Sequence, residues 1–379
     1  VGLSMRILIN AGPWLPVPPS GYGGIETVIA TLVPELRRAG QHVTLATVGT
    51  STIEADSYLH PVAEPQFASI ARPYNQVSGI AHAQMQGIVK AIYDGGSWDL
   101  VHDHLEVVGP AVFAAMGRAA PPVLQTMHWD LAKHKAFYES FDGRGRVRFA
   151  AVSQSQLDRA PEALRRQTIG VVPLAAPPGL EIHADKADHA LVLARLTRDK
   201  GQDAAVRICR QAGLPLVLAG PVAGINDPEE LDRRLAAGDA QLMSHPDVGY
   251  FQDEVRPLLD GDRYRWIGGI GGEVKERVLR SARVLLAPNR WAEPGATGVV
   301  EALSRGVPVV GTPLGVLPSL VQHGRTGFLA ADEQELARLL HKLDSIRAED
   351  CIEAASGWTP EAMAASYLRL YDQLLSEAP

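Results

Sequence analysis

Two glutamates bracket a proline–glycine loop in NRWAEPGATGVVEALSRGVPVVGT at 289–312, Glu293 in the loop and Glu301 inside the stretch that follows. A carboxylate accepts hydrogen bonds from sugar hydroxyls, two at a time when these are vicinal, so the two acids could grip two polyols. Between them Gly295, Thr297 and Gly298 allow close backbone approach. The first amides of a helix starting near Ala296 or Thr297 can hold phosphate oxygens. Polyol, phosphate, polyol is the layout of a nucleotide sugar: hexose, diphosphate, ribose. A plainer reading fits the same spacing, with Glu293 a capping acid and Glu301 an ordinary helix residue.

Other stretches carry related chemistry. LARLTRDKGQD at 193–203 ends an apolar run with Arg195 and, five residues on, Lys200 before Gly201. Two cations at a strand end can neutralise a diphosphate leaving group, although charge there is also what a solvated loop shows. PPSGYGGIETV at 18–28 places Gly21, Gly23 and Gly24 before a helix beginning near Ile25, an arrangement suited to an anion. It is not a dinucleotide fingerprint, because GPWLPVPPS, with four prolines, separates it from the first strand. TMHWD at 126–130 and VHDHL at 101–105 end strands with His128, Trp129 and Asp130, and with His102, Asp103 and His104. His128 suits hydrogen bonding or proton handling, or a structural role. His102 and His104 would share one strand face with no third metal ligand nearby, so no metal is expected there. Asp260-Gly261-Asp262 reads as a solvated turn rather than a metal–diphosphate pair. The chain has no Gly-x-Ser-x-Gly, P-loop or Cys-x-x-Cys.

Positioning these residues falls to alternating strands and helices, the pattern of parallel α/β domains. Strands are expected at 6–10, 42–47, 99–102, 122–127, 149–153 and 169–173, with helices at 25–40, 77–94 and 108–118. The proline-rich stretch 173–189 reads as a linker. A second series follows at 190–195, 214–220, 264–268, 283–288, 307–311 and 326–330, with a charged, partly helical elaboration over 226–262 and a last helix over 361–375. At 379 residues, two domains are the expectation. Their boundaries fall at 5–180 and 188–357, with 358–379 a closing helix, and the leading VGLS stays outside the fold argument. Such halves bind ligands at the carboxyl ends of their strands, in a cleft between them.

Composition narrows the class. With 46% hydrophobic and 21% charged residues the chain reads as an ordinary soluble protein, and a net charge of −7 argues against nucleic acid as a partner. Cys209 and Cys351, its only cysteines, suit a reducing cytoplasm better than a disulfide framework. No run of about 18 apolar residues predicts an integral membrane segment. Trp14-Leu15-Pro16-Val17 reads as a loop on its own domain, with an apolar acceptor groove or weak membrane docking as the alternatives. Nothing in the sequence fixes an oligomeric state.

In order along the chain, GYGGIE, VHDH, TMHWD, AVSQSQ, LARLTRDKG, LVLAG, EPGATGVVEALSRGVPVVGT, GRTGFLA and the helix after Trp358 resemble glycosyltransferase family 4. Those enzymes are retaining nucleotide-sugar transferases of the GT-B fold: two Rossmann-like domains facing each other across a cleft, with the last helix crossing back to the first domain. The resemblance implies a hexosyltransferase using a nucleotide sugar as co-substrate, a hydroxyl-bearing acceptor, and neither metal nor other cofactor. Gly23, Gly24, Gly220, Thr297 and Gly298 would lie by the donor, with Arg195 and Lys200 on its diphosphate. Glu293 would hold the transferred sugar, Glu301 the ribose, and the Ile270 backbone the base. His128 would sit beside the reacting sugar; Tyr22, His104, Trp129 and Asp130 would meet the acceptor. The sequence departs from the family at Ala194, where Gly is usual, at Gly295-Ala296 for Phe-Gly, and at Val316 and Ser319 for Gly and Glu. Two other functions share the fold: an epimerase or hydrolase acting on the donor alone, and a non-catalytic nucleotide-sugar-binding protein. A Rossmann oxidoreductase is disfavoured by the prolines before Gly21.

Overall fold

The computed structural model describes residues 4–70, 72–176 and 187–378. Most of the proline-rich stretch read as a linker lies outside them. The chain forms two compact units: one holds the chain up to Pro19, Gly23–Ala175 and the segment from Pro360, the other Ser20–Tyr22 with Ala176–Thr359.

Among the described residues the first unit carries seven strands: β1 (Arg6–Asn10), β2 (His42–Ala46), β3 (Ser57–Leu59), β4 (Leu100–Asp103), β5 (Val123–Met127), β6 (Val147–Ala151) and β7 (Thr168–Val171). They pair in parallel in the order β3-β2-β1-β4-β5-β6-β7. Alternate residues feed two cores, as a pleat covered on both faces requires. Ile7, Ile9, Val43 and Leu45 meet Ile29, Leu32 and Leu36 of the Gly24–Arg38 helix on one side. Leu8, Val101, Val123 and Phe149 meet Met85, Phe113 and Tyr138 on the other. The Pro360–Glu377 helix joins the first of these cores through Met363, Tyr367, Tyr371 and Leu374, so the last helix returns to the first unit as the resemblance implied. β3 was missed: three part-exposed edge residues in the polar stretch 51–60 give no apolar alternation. Trp14 and the fully buried Val17 pack within this unit, as the loop reading has it.

The second unit has β8 (Ala190–Leu193), β9 (Leu216–Ala219), β10 (Tyr264–Trp266), β11 (Val284–Ala287), β12 (Val309–Gly311) and β13 (Gly327–Leu329). They are all parallel, in the order β10-β9-β8-β11-β12-β13. The charged elaboration resolves into short helices between Pro228 and Leu258. Strand order reverses between β1 and β4 in one unit and between β8 and β11 in the other. At such a switch point the loops leaving neighbouring strands diverge and open a crevice at their carboxyl ends. The chemistry-bearing stretches are the loops that follow these four strands and β5.

Candidate functional site

In the second unit, β8 leads to Arg195 and Lys200, and β11 leads to the loop 288–296 and the Thr297–Leu303 helix. Because β8 and β11 are hydrogen-bonded neighbours, residues far apart in sequence meet. Lys200 Nζ forms an ion pair with the Glu293 carboxylate, both side chains largely withdrawn from water at 18% and 12% exposure. The same ammonium lies 5.2 Å from the Trp291 ring centroid. Glu301 has a counterpart: Lys275 Nζ, on the Gly272–Ser281 helix, donates to Glu301 Oε1 at 2.6 Å. Lys275 was missed in the sequence, where a lysine one turn into a surface helix carries no signal.

Arg195 is half-buried, and its Nε has no hydrogen-bond partner among the described residues. Its guanidinium lies 5.5 Å from the ring centroid of Tyr22, a residue that groups with this unit. Thr297 and Gly298 open their helix with no side-chain cap, behind Ala296 at φ 52°. That left-handed conformation falls at a position where the family usually has glycine. Ile270 packs part-buried on the unit's apolar core, and the Gly220 amide donates to Gly268 O at 2.7 Å. The Asp260-Gly261-Asp262 segment is a turn, with Asp260 Oδ1 accepting from the amides of Asp262 and Tyr264.

Two contacts hold the Glu293 loop. Val316 N donates to Glu293 O at 2.8 Å. Gly315, at φ 62°, lies so close that a Cβ would fall 2.3 Å from both the backbone N and O of Glu293. The family departure at Val316 therefore leaves this support intact, since it uses only backbone. Gly315→Ala must push the Glu293 loop aside; if Glu293 holds a sugar as the resemblance implies, turnover should drop by about 10²-fold, the scale for a misplaced site group. Product assay beside a thermal melt checks this; the left-handed φ and the clash should lower the melting temperature too, so activity is compared well below both melts.

In the first unit, β4 and β5 bring together His102, His104, Thr126 and His128. His104 Nδ1 lies 2.8 Å from His128 Nε2, and His102 Nε2 lies 2.7 Å from Thr126 Oγ1. Burial drives His102 and His128 down to about 3 and His104 well below its ordinary value, so all three rings are neutral near pH 7. Burial acts in reverse on carboxyls of the same unit, raising Asp103, Glu106 and, at the start of the Gly24–Arg38 helix, Glu26 to about 7. Sequence reading missed Glu26 and Glu106, since only tertiary burial marks them. Trp129 points inward, its Nε1 donating to Tyr138 OH at 2.6 Å, and Asp130 Oδ1 caps the Ala132 amide at 3.0 Å. Gly23 precedes the Gly24–Arg38 helix, where a Cβ would come within 2.7 Å of Pro19. Among the described residues no group of three histidines, cysteines or carboxylates is placed to hold a metal. No helix among them is long and apolar enough to cross a membrane.

Fold and residues together are those of a GT-B glycosyltransferase. Residues 22–174 match the Glycosyltransferase Family 4 model and residues 181–358 the Glycosyl transferases group 1 model. The chain belongs to glycosyltransferase family 4, and it is an enzyme that transfers a sugar from a nucleotide-sugar donor. It is similar to a D-inositol 3-phosphate glycosyltransferase of Streptomyces scabiei, at 28% identity over 291 residues. That match covers 70% of this chain and 64% of the relative, less than two-thirds of its length. Among solved structures it is similar to AviGT4, a glycosyltransferase involved in avilamycin A biosynthesis, at 25% identity and TM-score 0.66 over 98% of each chain. Sucrose-phosphate synthase of Thermosynechococcus elongatus, at 20% identity, shares the fold with TM-score 0.73 over 98% of this chain and 99% of that one.

Proposed function

We propose that the enzyme transfers a hexose with retention of configuration from a nucleoside diphosphate sugar to an acceptor hydroxyl, its own cations serving where a metal would. The observation that carries this reading is the Lys200–Glu293 pair, which joins a diphosphate-binding cation to a hydroxyl-binding carboxylate from positions 93 residues apart. Arg195 and Lys200 take the diphosphate and its growing charge, with the amides of Thr297 and Gly298 and the Gly23–Gly24 turn as further phosphate donors. Glu293 holds the sugar hydroxyls and Glu301 the ribose. Each carboxylate already faces a lysine, so a nucleotide sugar meets cation and acceptor together at both ends.

His128 serves by hydrogen bonding. A ring that stays unprotonated down to about pH 3 is too weak a base to take a hydroxyl proton efficiently. In the step we envisage, the C1–O bond to the diphosphate breaks and the C1–O bond to the acceptor forms on the same face. The acceptor proton passes to the leaving phosphate oxygen. Tyr22, His104, Trp129 and Asp130 remain the proposed acceptor-side residues. Trp129 and Asp130 would act by shaping their loop, since both side chains are already engaged.

The test is product analysis by proton NMR with a donor and acceptor panel, with and without EDTA. Retained anomeric configuration, chelator-insensitive turnover and no donor breakdown without acceptor are expected. An inverted product, a chelator-sensitive rate, or turnover of the donor alone would overturn the reading.

A further inference from the structure

β4 and β5 run side by side, so residues two apart on each share a face. His102 and Thr126 form one hydrogen-bonded pair on that face; His104 and His128 form the next. The final helix closes over the first pair: Tyr367 OH lies 3.0 Å from Thr126 Oγ1, and Tyr371 OH 2.7 Å from His102 Nδ1. All four residues of this latch are buried at 0% exposure.

The directions of these bonds place the protons. Thr126 gives its single hydroxyl proton to Tyr367, so it must accept from His102 Nε2–H. In a neutral His102 the Nδ1 is then an acceptor, and Tyr371 donates to it. The His104 ring lies against this fixed ring with centroids 4.2 Å apart and planes tilted by 40°, and pairs through Nδ1 with His128 Nε2. His104 Nε2 is buried with no partner among the described residues. An orphaned buried N–H is rarer and costlier than an orphaned acceptor, so the His104 proton belongs on Nδ1, donating to His128. His128 Nε2 is then an acceptor, and its own proton sits on Nδ1.

We propose that His102 and His104, locked by Tyr367 and Tyr371 of the final helix, are positioning residues that hold His128 in its Nδ1–H form, ready to donate to a sugar or acceptor hydroxyl. This rests on the role given to His128 above. The link from the last helix runs through ring packing: the tyrosine-held His102 ring fixes the orientation of the His104 ring lying against it, and the His104 Nδ1 proton in turn sets the tautomer of His128.

The experiment is nitrogen-15 NMR of the full chain labelled at histidine, with steady-state kinetics of Tyr371→Phe and Tyr367→Phe. Each variant loses one oxygen and keeps its ring. The wild-type spectrum should show His128 protonated at Nδ1. Tyr371→Phe should give mixed tautomers at His104 and His128 and a kcat lower by about tenfold, the scale for losing one orienting partner, with donor KM unchanged. A merely structural role would lower thermal stability and leave tautomers and kcat alone, which overturns the proposal. So does a wild-type His128 protonated at Nε2, and that measurement stands even where a variant fails to fold. The failures are distinguishable: a wild type that transfers no sugar to any acceptor overturns the functional reading, His128→Ala with full transfer overturns the role given to His128 and this proposal with it, and an inactive His128→Ala with unchanged Tyr371→Phe kinetics overturns the positioning alone.

Discussion

Replacing Lys200 by alanine lowers kcat for sugar transfer by about 10²–10³-fold, with a smaller change in donor KM. The loss falls on kcat because the diphosphate gains most of its charge as the bond to the sugar breaks, when a fixed cation contributes most. The paired variant Glu293→Ala should abolish transfer for a different reason: in the proposed site it removes the hydroxyl acceptor that orients the sugar. Each change leaves its partner's charge behind in a part-buried site. For a fully buried pair that would cost about 3–5 kcal/mol; residual hydration of both groups brings the expected loss to about 1–3 kcal/mol, so the fold survives. Lys200→Arg should rescue poorly, because a planar fork does not reproduce a compact ammonium. Chromatographic product analysis checks all three, and wild-type turnover in Lys200→Ala and Glu293→Ala would remove the donor-site assignment.

The second large effect concerns stability. Asp203→Ala should destabilise the protein by about 3–5 kcal/mol. Asp203 is 5% exposed at its side chain and takes both nitrogens of Arg290, at 2.8 and 2.6 Å, with Tyr250 OH at 2.6 Å and Arg207 at 3.0 Å. Arg290 N also donates to Asp199 O at 2.8 Å. This residue therefore staples the loop that carries Glu293 to the loop that carries Lys200. Burial alone would raise the Asp203 carboxyl, but the bonds from Arg290 and Tyr250, the charge of Arg290 and the bond from Arg207 together hold it well below the usual carboxylate range. A group with a depressed folded-state value contributes fully above its unfolded value of about 3.9 and loses that contribution as pH falls further. The gap between wild type and Asp203→Asn should accordingly be constant from neutral pH to about pH 5 and narrow below about pH 4. Urea melts across that range measure it, and a gap that widens with acidity would contradict the assignment.

Much of this architecture was legible locally. Strands such as Arg6–Asn10 and Val284–Ala287 are short apolar runs between turn residues, and the helix after Glu293 begins at Thr297 as its glycines suggest. Partnerships across the fold were not legible. Glu293 and Glu301 stand out by spacing, yet nothing local says that Lys200 faces one and Lys275 the other. Arg290 and Asp203 are 87 positions apart, and Tyr371 and His102 are 269 apart. Such pairings follow from strand order and from the return of the last helix, so they emerge only with the topology. β3 was invisible for the opposite reason: an edge strand of three part-exposed residues needs no apolar pattern.

The central claim is that Glu293 and Glu301 flank a nucleoside diphosphate sugar. Its most direct test is the thermal stability of the wild type and of Glu301→Ala against a panel of nucleotides and nucleotide sugars, with NAD and NADP alongside. A ligand at 100 times its dissociation constant adds about 2.7 kcal/mol, a readily measured shift. One nucleoside diphosphate and its sugars should stabilise the wild type, with the shift much reduced in Glu301→Ala. Stabilisation by NAD alone, or none by any nucleotide, would contradict the account.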